Sequence, residues 1–214
     1  FMNFDIATFE RAALSLVERG YQVVRMGSGS EKPFGTNRPG IIDYANSASR
    51  SEFLDIFIAA TCSFAVSTQT GPDAVCLTFR RPVCYIDVTR FSQFFLGTKL
   101  AWWNPAELWQ GEKRLTLNNL LSSEIFWIKD PNDFINYGVS QVRSDAEKIN
   151  QYVEGFINSF EDDLMQSSSE NTVTQSVRQL IEDRTGNRGR DQFGRITAVV
   201  NPAFARQSGD WYLV

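Results

Sequence analysis

The chain contains no histidine among its 214 residues. That absence removes Ser-His-Asp and Cys-His catalysis, His-ligated zinc and an imidazole general base from what this chain can do by itself. Cysteine is scarce as well. Cys62, Cys76 and Cys84 fall in apolar strand or helix contexts at no metal-ligand spacing. They read as small buried hydrophobes in a reducing compartment, which points to the cytoplasm. No apolar run approaches the roughly 20 residues that span a bilayer. The start, Phe1-Met2-Asn3-Phe4-Asp5, has neither the basic nor the apolar region of a signal peptide. Lys and Arg number 21 against 25 Asp and Glu, a net charge of −4 with no long basic run. An electrostatic footprint for nucleic acid or anionic lipid is therefore missing. Carboxylates able to face one sugar are few: Asp43 with Asp73 is the one pair expected near a cleft, which disfavours glycoside hydrolysis.

What is present is an alternation of helix and strand. Ile6, Phe9, Ala13, Leu16 and Val17 make one stripe of a helix over 5–19, with Asp5 in its first turn, Arg19 in its last and Gly20 as the stop. Strands are expected over 21–25, 40–44, 62–66 and 82–87. Ser49 and Glu52 have capping-box spacing. The helix that follows, with Phe53, Leu54, Ile56, Phe57 and Ile58, is apolar nearly all round and is expected to be deeply buried. The unbroken apolar run at 62–66 suits a parallel strand covered on both faces. The fold class expected is α/β, a Rossmann-like parallel sheet flanked by helices.

The rest divides by composition. Residues 89–143 are aromatic-rich and read as loops and short helices, with 115–121 the clearest helical piece and 139–142 one last short strand. Ser144 and Glu147 have the spacing of a second capping box, opening a helix to about Leu164. Ser167-Ser168-Ser169 breaks it, a further helix runs to about Arg184, and 186–192 reads as a mobile loop. The apolar tail, from Asn201-Pro202-Ala203-Phe204 to 211–214, is expected to pack back on the domain. Residues 1–214 thus read as one domain: an α/β core over 1–88, the aromatic stretch, and a helical part over 144–214. A first helix with no strand before it suggests part of a longer polypeptide.

The most informative local feature is Ser67-Thr68-Gln69-Thr70-Gly71-Pro72, a small-residue loop between a strand and a helix. A helix start carries unpaired N–H groups and the positive end of the macrodipole, so it attracts anions such as phosphate. In open α/β sheets, ligands bind just beyond the carboxyl ends of the strands. Thr70 as N-cap and Pro72 in the first turn also make an ordinary helix start, and the two readings coexist because both use the same unpaired groups. Arg25 closes a strand at the same presumed edge, before Gly27 and Ser28. It reads either as a clamp on a diphosphate or as a partner of Asp43 or Glu52. Asp43, Tyr44, Asn46 and Ser47 end the next strand, where a base or ribose could be held or where turn chemistry alone operates. Ser51 and Glu52 read as capping residues first and sugar contacts second. Lys32 and Arg38 default to solvated charges. Trp102, Trp103 and Trp109 read as core or interdomain packing before a carbohydrate platform.

An ordered set of segments resembles a known family. They are 3–6, 20–27, 42–44, 51–57, 62–64 and 67–71, followed by the capped helix after Ser144 and by Asn201-Pro202-Ala203-Phe204. Together they resemble the carboxyl-terminal half of a family of bacterial glycosyltransferases of two-Rossmann, GT-B architecture. The resemblance implies that this half binds a nucleotide-diphosphate sugar as donor substrate, without cofactor or metal. It implies that an amino-terminal Rossmann half holds a saccharide or other acceptor and the catalytic base, so the isolated chain binds donor but turns it over poorly. Donor diphosphate would be held by Arg25, Gly27, Ser28, Ser67, Thr68, Gln69, Thr70 and Gly71, and base or ribose by Asp43, Tyr44, Ser51 and Glu52. Asp73, in the first turn of the phosphate helix, would repel that ligand. The competing reading is a non-catalytic Rossmann-like binding or interaction module, homo-oligomeric or docked to a partner. A complete small enzyme acting on a phosphorylated metabolite is a third reading, opposed by the missing histidine.

Overall fold

The computed structural model describes residues 4–27, 32–34, 38–93, 98–130, 132–165, 172–193 and 199–207. A 3-10 turn, Ile6–Phe9, leads into helix α1 (Glu10–Glu18). Strands β1 (Val23–Val24) and β2 (Ile41–Ile42) follow, then helix α2 (Glu52–Thr61), strand β3 (Ala65–Ser67), helix α3 (Gly71–Thr78) and strand β4 (Val83–Val88). Strands β5 (Ala101–Pro105), β6 (Glu107–Gln110) and β7 (Lys113–Arg114) come next. Helices α4 (Leu117–Leu121) and α5 (Asp133–Asn136) precede strand β8 (Val139–Val142). The chain continues with α6 (Ala146–Met165), α7 (Thr172–Phe193), β9 (Val199–Val200) and α8 (Pro202–Gln207).

The centre is a four-stranded sheet, β3-β4-β5-β9, parallel throughout. Every residue of β4 and β5 is buried, and apart from Asp87 in β4 and Asn104 in β5 their residues are apolar. Alternation along β5 sends neighbouring tryptophans to opposite faces: Trp102 meets Phe156 of α6 edge-on at 5.5 Å, and Trp103 meets Phe91 at 6.2 Å. Helix α6 keeps Ile149, Tyr152, Val153, Phe156 and Ile157 inward, and α1 lies along it. That pair is tied at its rim by Arg19 to Glu161 and Asn158, and by Tyr21 to Glu161. This is an α/β fold compatible with a Rossmann-like arrangement.

Several sequence expectations need correction. The stretch 89–143 is not loops and short helices alone: it supplies β5 to the parallel sheet and an antiparallel sheet, β7-β6-β8. Trp102 and Trp103 are core residues of β5, the packing role placed first for them from the sequence. Strands β1 and β2 pair parallel in a two-stranded sheet of their own. Helix α2 is not deeply buried. Phe53 is 73% exposed, Ile56 and Phe57 about half exposed, and only Ala59 is buried. An apolar face of this kind covers one side of α3 and leaves the other open, so composition overstated its burial. Its cap is Ser51, whose side chain accepts from the Leu54 N–H, rather than Ser49. The α6 start is capped by Asp145, which accepts from the Lys148 N–H, because Ser144 is engaged by Asp87. Residues 186–192 lie inside α7, which is interrupted only at Gly186 (φ 51°, ψ −132°). The tail does pack back where it is described, with Asn201, Ala203 and Phe204 buried; the serine run 167–169 and residues 208–214 lie outside the described residues.

The ending of the chain is locked to α6 through a close approach. Asn201, fully buried, donates to the Tyr152 carbonyl at 2.8 Å and accepts from the Ala203 N–H at 2.9 Å. Opposite it, a Cβ on Gly155 would sit 2.7 Å from Ala203 Cβ and 2.9 Å from Asn201 Oδ1. Gly155→Ala is expected to lower stability by about 1–3 kcal/mol, the range for overpacking a filled interior. The fall would be read as a lower urea midpoint at unchanged slope.

Candidate functional site

Parallel pairing places the carboxyl ends of β3, β4 and β5 along one edge, and two polar nests are built there. The first is the 67–71 loop. Gln69 adopts a left-handed backbone (φ 61°) and is buried. Its side chain turns across to the end of β4: Oε1 accepts from the N–H groups of Thr89 and Arg90 at 3.0 and 3.1 Å, and Nε2 donates to the Arg90 carbonyl. Arg90 returns the contact, Nη2 donating to the Gln69 carbonyl at 2.7 Å. The loop is thus pinned to the neighbouring strand by four hydrogen bonds.

Ser67 and Thr70 stand beside one another, their hydroxyls 3.3 Å apart, and Ser67 Oγ donates to Asp73 at 2.7 Å. Asp73 is buried, and that burial raises its pKa; hydrogen bonds from Ser67 and Thr70 oppose the shift. The Tyr85 hydroxyl, pushed up first by its own burial and then by the Asp73 charge, faces the same carboxyl. Asp73 therefore points inward, and its charge is turned into the sheet rather than out along the helix axis. Thr70 occupies the N-cap position without a side-chain cap bond, and Thr70, Gly71 and Pro72 are exposed. The outer rim of the α3 start remains open to solvent.

The second nest lies at the ends of β4 and β5. The β4–β5 register shifts between Tyr85 and Val88, and Asp87 takes φ 50°. Regular alternation would put Asp87 on the face Tyr85 occupies. The irregularity re-aims it at α6, where it accepts from the Ser144 N–H at 2.9 Å and the Ser144 hydroxyl at 2.7 Å. Burial raises the Asp87 pKa, against the Ser144 bonds and the nearby Lys148 and Arg143 charges. Beside it, Glu107, Arg114, Lys148, Phe204 and Gln207 line a small cavity of about 180 Å³. Lys148 Nζ stands 3.8 Å from Glu107.

Arg25 and Asp43 form a third cluster, on the separate β1-β2 sheet. Their ion pair, 3.3 Å long, is largely shielded from solvent, and Asp43 also accepts from the Phe34 N–H and Asn46 Nδ2. Arg25 donates as well to the Lys32 carbonyl. The pairing with Asp43 that the sequence offered for Arg25 is present. Tyr44 is buried, its hydroxyl accepting from the Ser51 N–H and donating to the Ser51 carbonyl, so these two residues fasten the α2 start. Glu52 is exposed in the first turn of α2, and Gly27 is half-buried next to Ala45. Ser28 lies outside the described residues. Sequence reasoning named the 67–71 loop but missed Arg90, Asp87 and Ser144. The last was read as a helix cap, and nothing in spacing marks a carboxylate turned by a strand irregularity.

No family model, curated protein or solved structure matches the chain. Function therefore rests on the geometry. Among the described residues no helix is long and apolar enough to cross a membrane, and no group of three or more Cys, Asp or Glu is placed to hold a metal ion. The three thiols read as structural: Cys76 and Cys84 are buried, and burial pushes Cys84 up to about 12, far from the thiolate. Cys62, half-buried, is held lower by a hydrogen bond with Cys76.

Proposed function

We propose that the chain is the donor-binding, Rossmann-like domain of a glycosyltransferase of GT-B architecture, and that it binds a nucleotide-diphosphate sugar. The observation that carries the reading is the 67–71 loop, pinned by Gln69 at the carboxyl end of β3 and opening on an α3 start without a side-chain cap. The diphosphate takes the place of that cap. The Gly71 backbone N–H, with the hydroxyls of Thr68 and Thr70, would face charge growing on the departing nucleotide diphosphate, a role that needs no metal. Arg90, already bonded to the loop carbonyl, is the guanidinium nearest by connection. The base and ribose fall to the Asp43 and Glu52 region, and Arg25 contributes by holding Asp43. The acceptor and its general base are supplied elsewhere.

Gly71 offers a clean test. It is exposed, and a Cβ there meets nothing within 4 Å. Gly71→Glu puts a carboxylate in the first turn of α3, which favours the free helix by a few tenths of a kcal/mol and repels a diphosphate. In titration calorimetry against a panel of nucleotide-diphosphate sugars, the wild-type chain is expected to bind at least one. Gly71→Glu should weaken that donor at least tenfold while leaving the melting temperature unchanged or higher. A folded wild-type chain giving no heat with any donor would remove the reading.

The exposed Phe53, Ile56 and Phe57 of α2, with Phe79 after α3, favour a second reading as an interaction module. Sizing that shows a tight oligomer lost in Phe53→Ser, together with no donor binding, would support it over the first.

A further inference from the structure

A groove of about 550 Å³ lies away from the sheet edge, between the 3-10 turn Glu124–Trp127 and α5. Trp127 and Tyr137 supply its rings, and Glu124, Lys129, Asp133 and Asn136 its polar groups. We propose that this groove binds a sugar ring of a saccharide. A pyranose offers an apolar C–H face and a rim of hydroxyls, each both donor and acceptor. An aromatic side chain serves the face; carboxylate, carboxamide and ammonium groups serve the rim. Trp127 is half-buried and Tyr137 is 43% exposed, so rings border the groove while remaining reachable. Its volume falls in the range of about 300–1,000 Å³ usual for small-ligand sites, room for one or two rings. Two carboxylates against one ammonium disfavour phosphate-bearing ligands such as nucleotides or nucleic acid.

The walls are held in place before any ligand arrives. Phe126 stacks on Phe91 with centroids 5.7 Å apart and planes 10° apart, and Trp127 meets Phe126 edge-on at 5.2 Å. Gln110 Nε2 donates to the Tyr137 carbonyl at 2.9 Å, tying the end of α5 to β6. Such fixing lowers the entropy lost on binding. The groove wall and the donor loop are both hydrogen-bonded to the turn after β4. Thr89 and Arg90 donate to Gln69, while Ser92, two residues on, donates to the Ile128 carbonyl in the groove wall. The role of such a saccharide as acceptor rests on the transferase reading, but its binding does not.

The test is saturation-transfer NMR on the full chain with cellobiose, maltose, lactose and N,N′-diacetylchitobiose, alongside a glycan array. At least one saccharide should receive saturation. Tyr137→Ala, at an exposed position, should weaken it at least fivefold, Glu124→Gln should weaken it also, and Tyr137→Phe should restore it. No binding to any saccharide, or binding indifferent to both Tyr137→Ala and Glu124→Gln, overturns the groove. Donor calorimetry on the same sample separates the two ideas. Donor binding without saccharide binding removes the groove alone; saccharide binding without donor binding removes the transferase reading and leaves the groove standing.

Discussion

Gln69→Ala should abolish measurable donor binding and lower stability by about 3 kcal/mol. The side chain is the only link by which the loop after β3 reaches the N–H groups of both Thr89 and Arg90 among the described contacts. Thr89 is almost completely buried, so its N–H loses a partner that water cannot readily replace. An unsatisfied buried donor costs about 1–3 kcal/mol; Arg90, only partly buried, adds less. With its anchor gone the loop no longer presents Thr70 and Gly71 at a fixed place, and binding must then supply the ordering. Gln69→Glu is the informative partner. It keeps the acceptor for both N–H groups but exchanges a donor to the Arg90 carbonyl for repulsion, so it should retain more stability than alanine while still weakening an anionic donor. Urea unfolding reads the first effect and calorimetry the second. A Gln69→Ala chain that binds donor normally would show that the loop is not the site.

Comparison of sequence with structure separates what periodicity carries from what it does not. Helix α6 was legible because Ile149, Val153, Phe156, Ile157 and Phe160 repeat at helical spacing, and a long buried face writes itself that way. The parallel pair β3 and β4 was legible for the corresponding reason: apolar runs bounded by turn residues. Strand β5 was hidden, since Ala101-Trp102-Trp103-Asn104-Pro105 mixes aromatics with residues that usually mark loops. Asn104 survives there because its Nδ2 donates to the Tyr85 carbonyl at 2.7 Å, a tertiary fact no local pattern holds. Helix α2 misled in the other direction. Its composition says interior, yet burial depends on what packs against a helix, and only α3 does so extensively. At the site, the loop was visible as small residues before a helix start. Arg90 and Asp87 were not, because each acts through a backbone turn whose left-handed or shifted geometry the residue type only permits.

Asp87 carries the second large effect, and its sign depends on what replaces it. Asp87→Ala leaves the Ser144 N–H and hydroxyl without their acceptor inside the protein, at the point where α6 meets the sheet. Two buried donors at about 1–3 kcal/mol each give an expected loss of about 4 kcal/mol. Asp87→Asn should stay within about 1 kcal/mol of wild type, because Oδ1 accepts from the Ser144 N–H, Nδ2 donates to the Ser144 oxygen, and asparagine also tolerates φ 50°. The two variants also differ in pH behaviour. Burial raises the Asp87 pKa in the folded chain above its unfolded value. Between those two values the folded state holds more protons than the unfolded state, so stability falls as pH rises through that window. Below the unfolded value both states are protonated and the full benefit is present; above the folded value the whole cost of a buried carboxylate applies. Asparagine has nothing to titrate. The stability difference, Asp87→Asn minus wild type, should therefore increase from about pH 4 upward and level off once the folded carboxyl has ionised. Subtracting one chain from the other cancels the remaining carboxyls, including Asp73, whose burial acts in the same direction. A difference that is flat with pH, or that shrinks as pH rises, would mean that Asp87 is ionised in the fold at no cost.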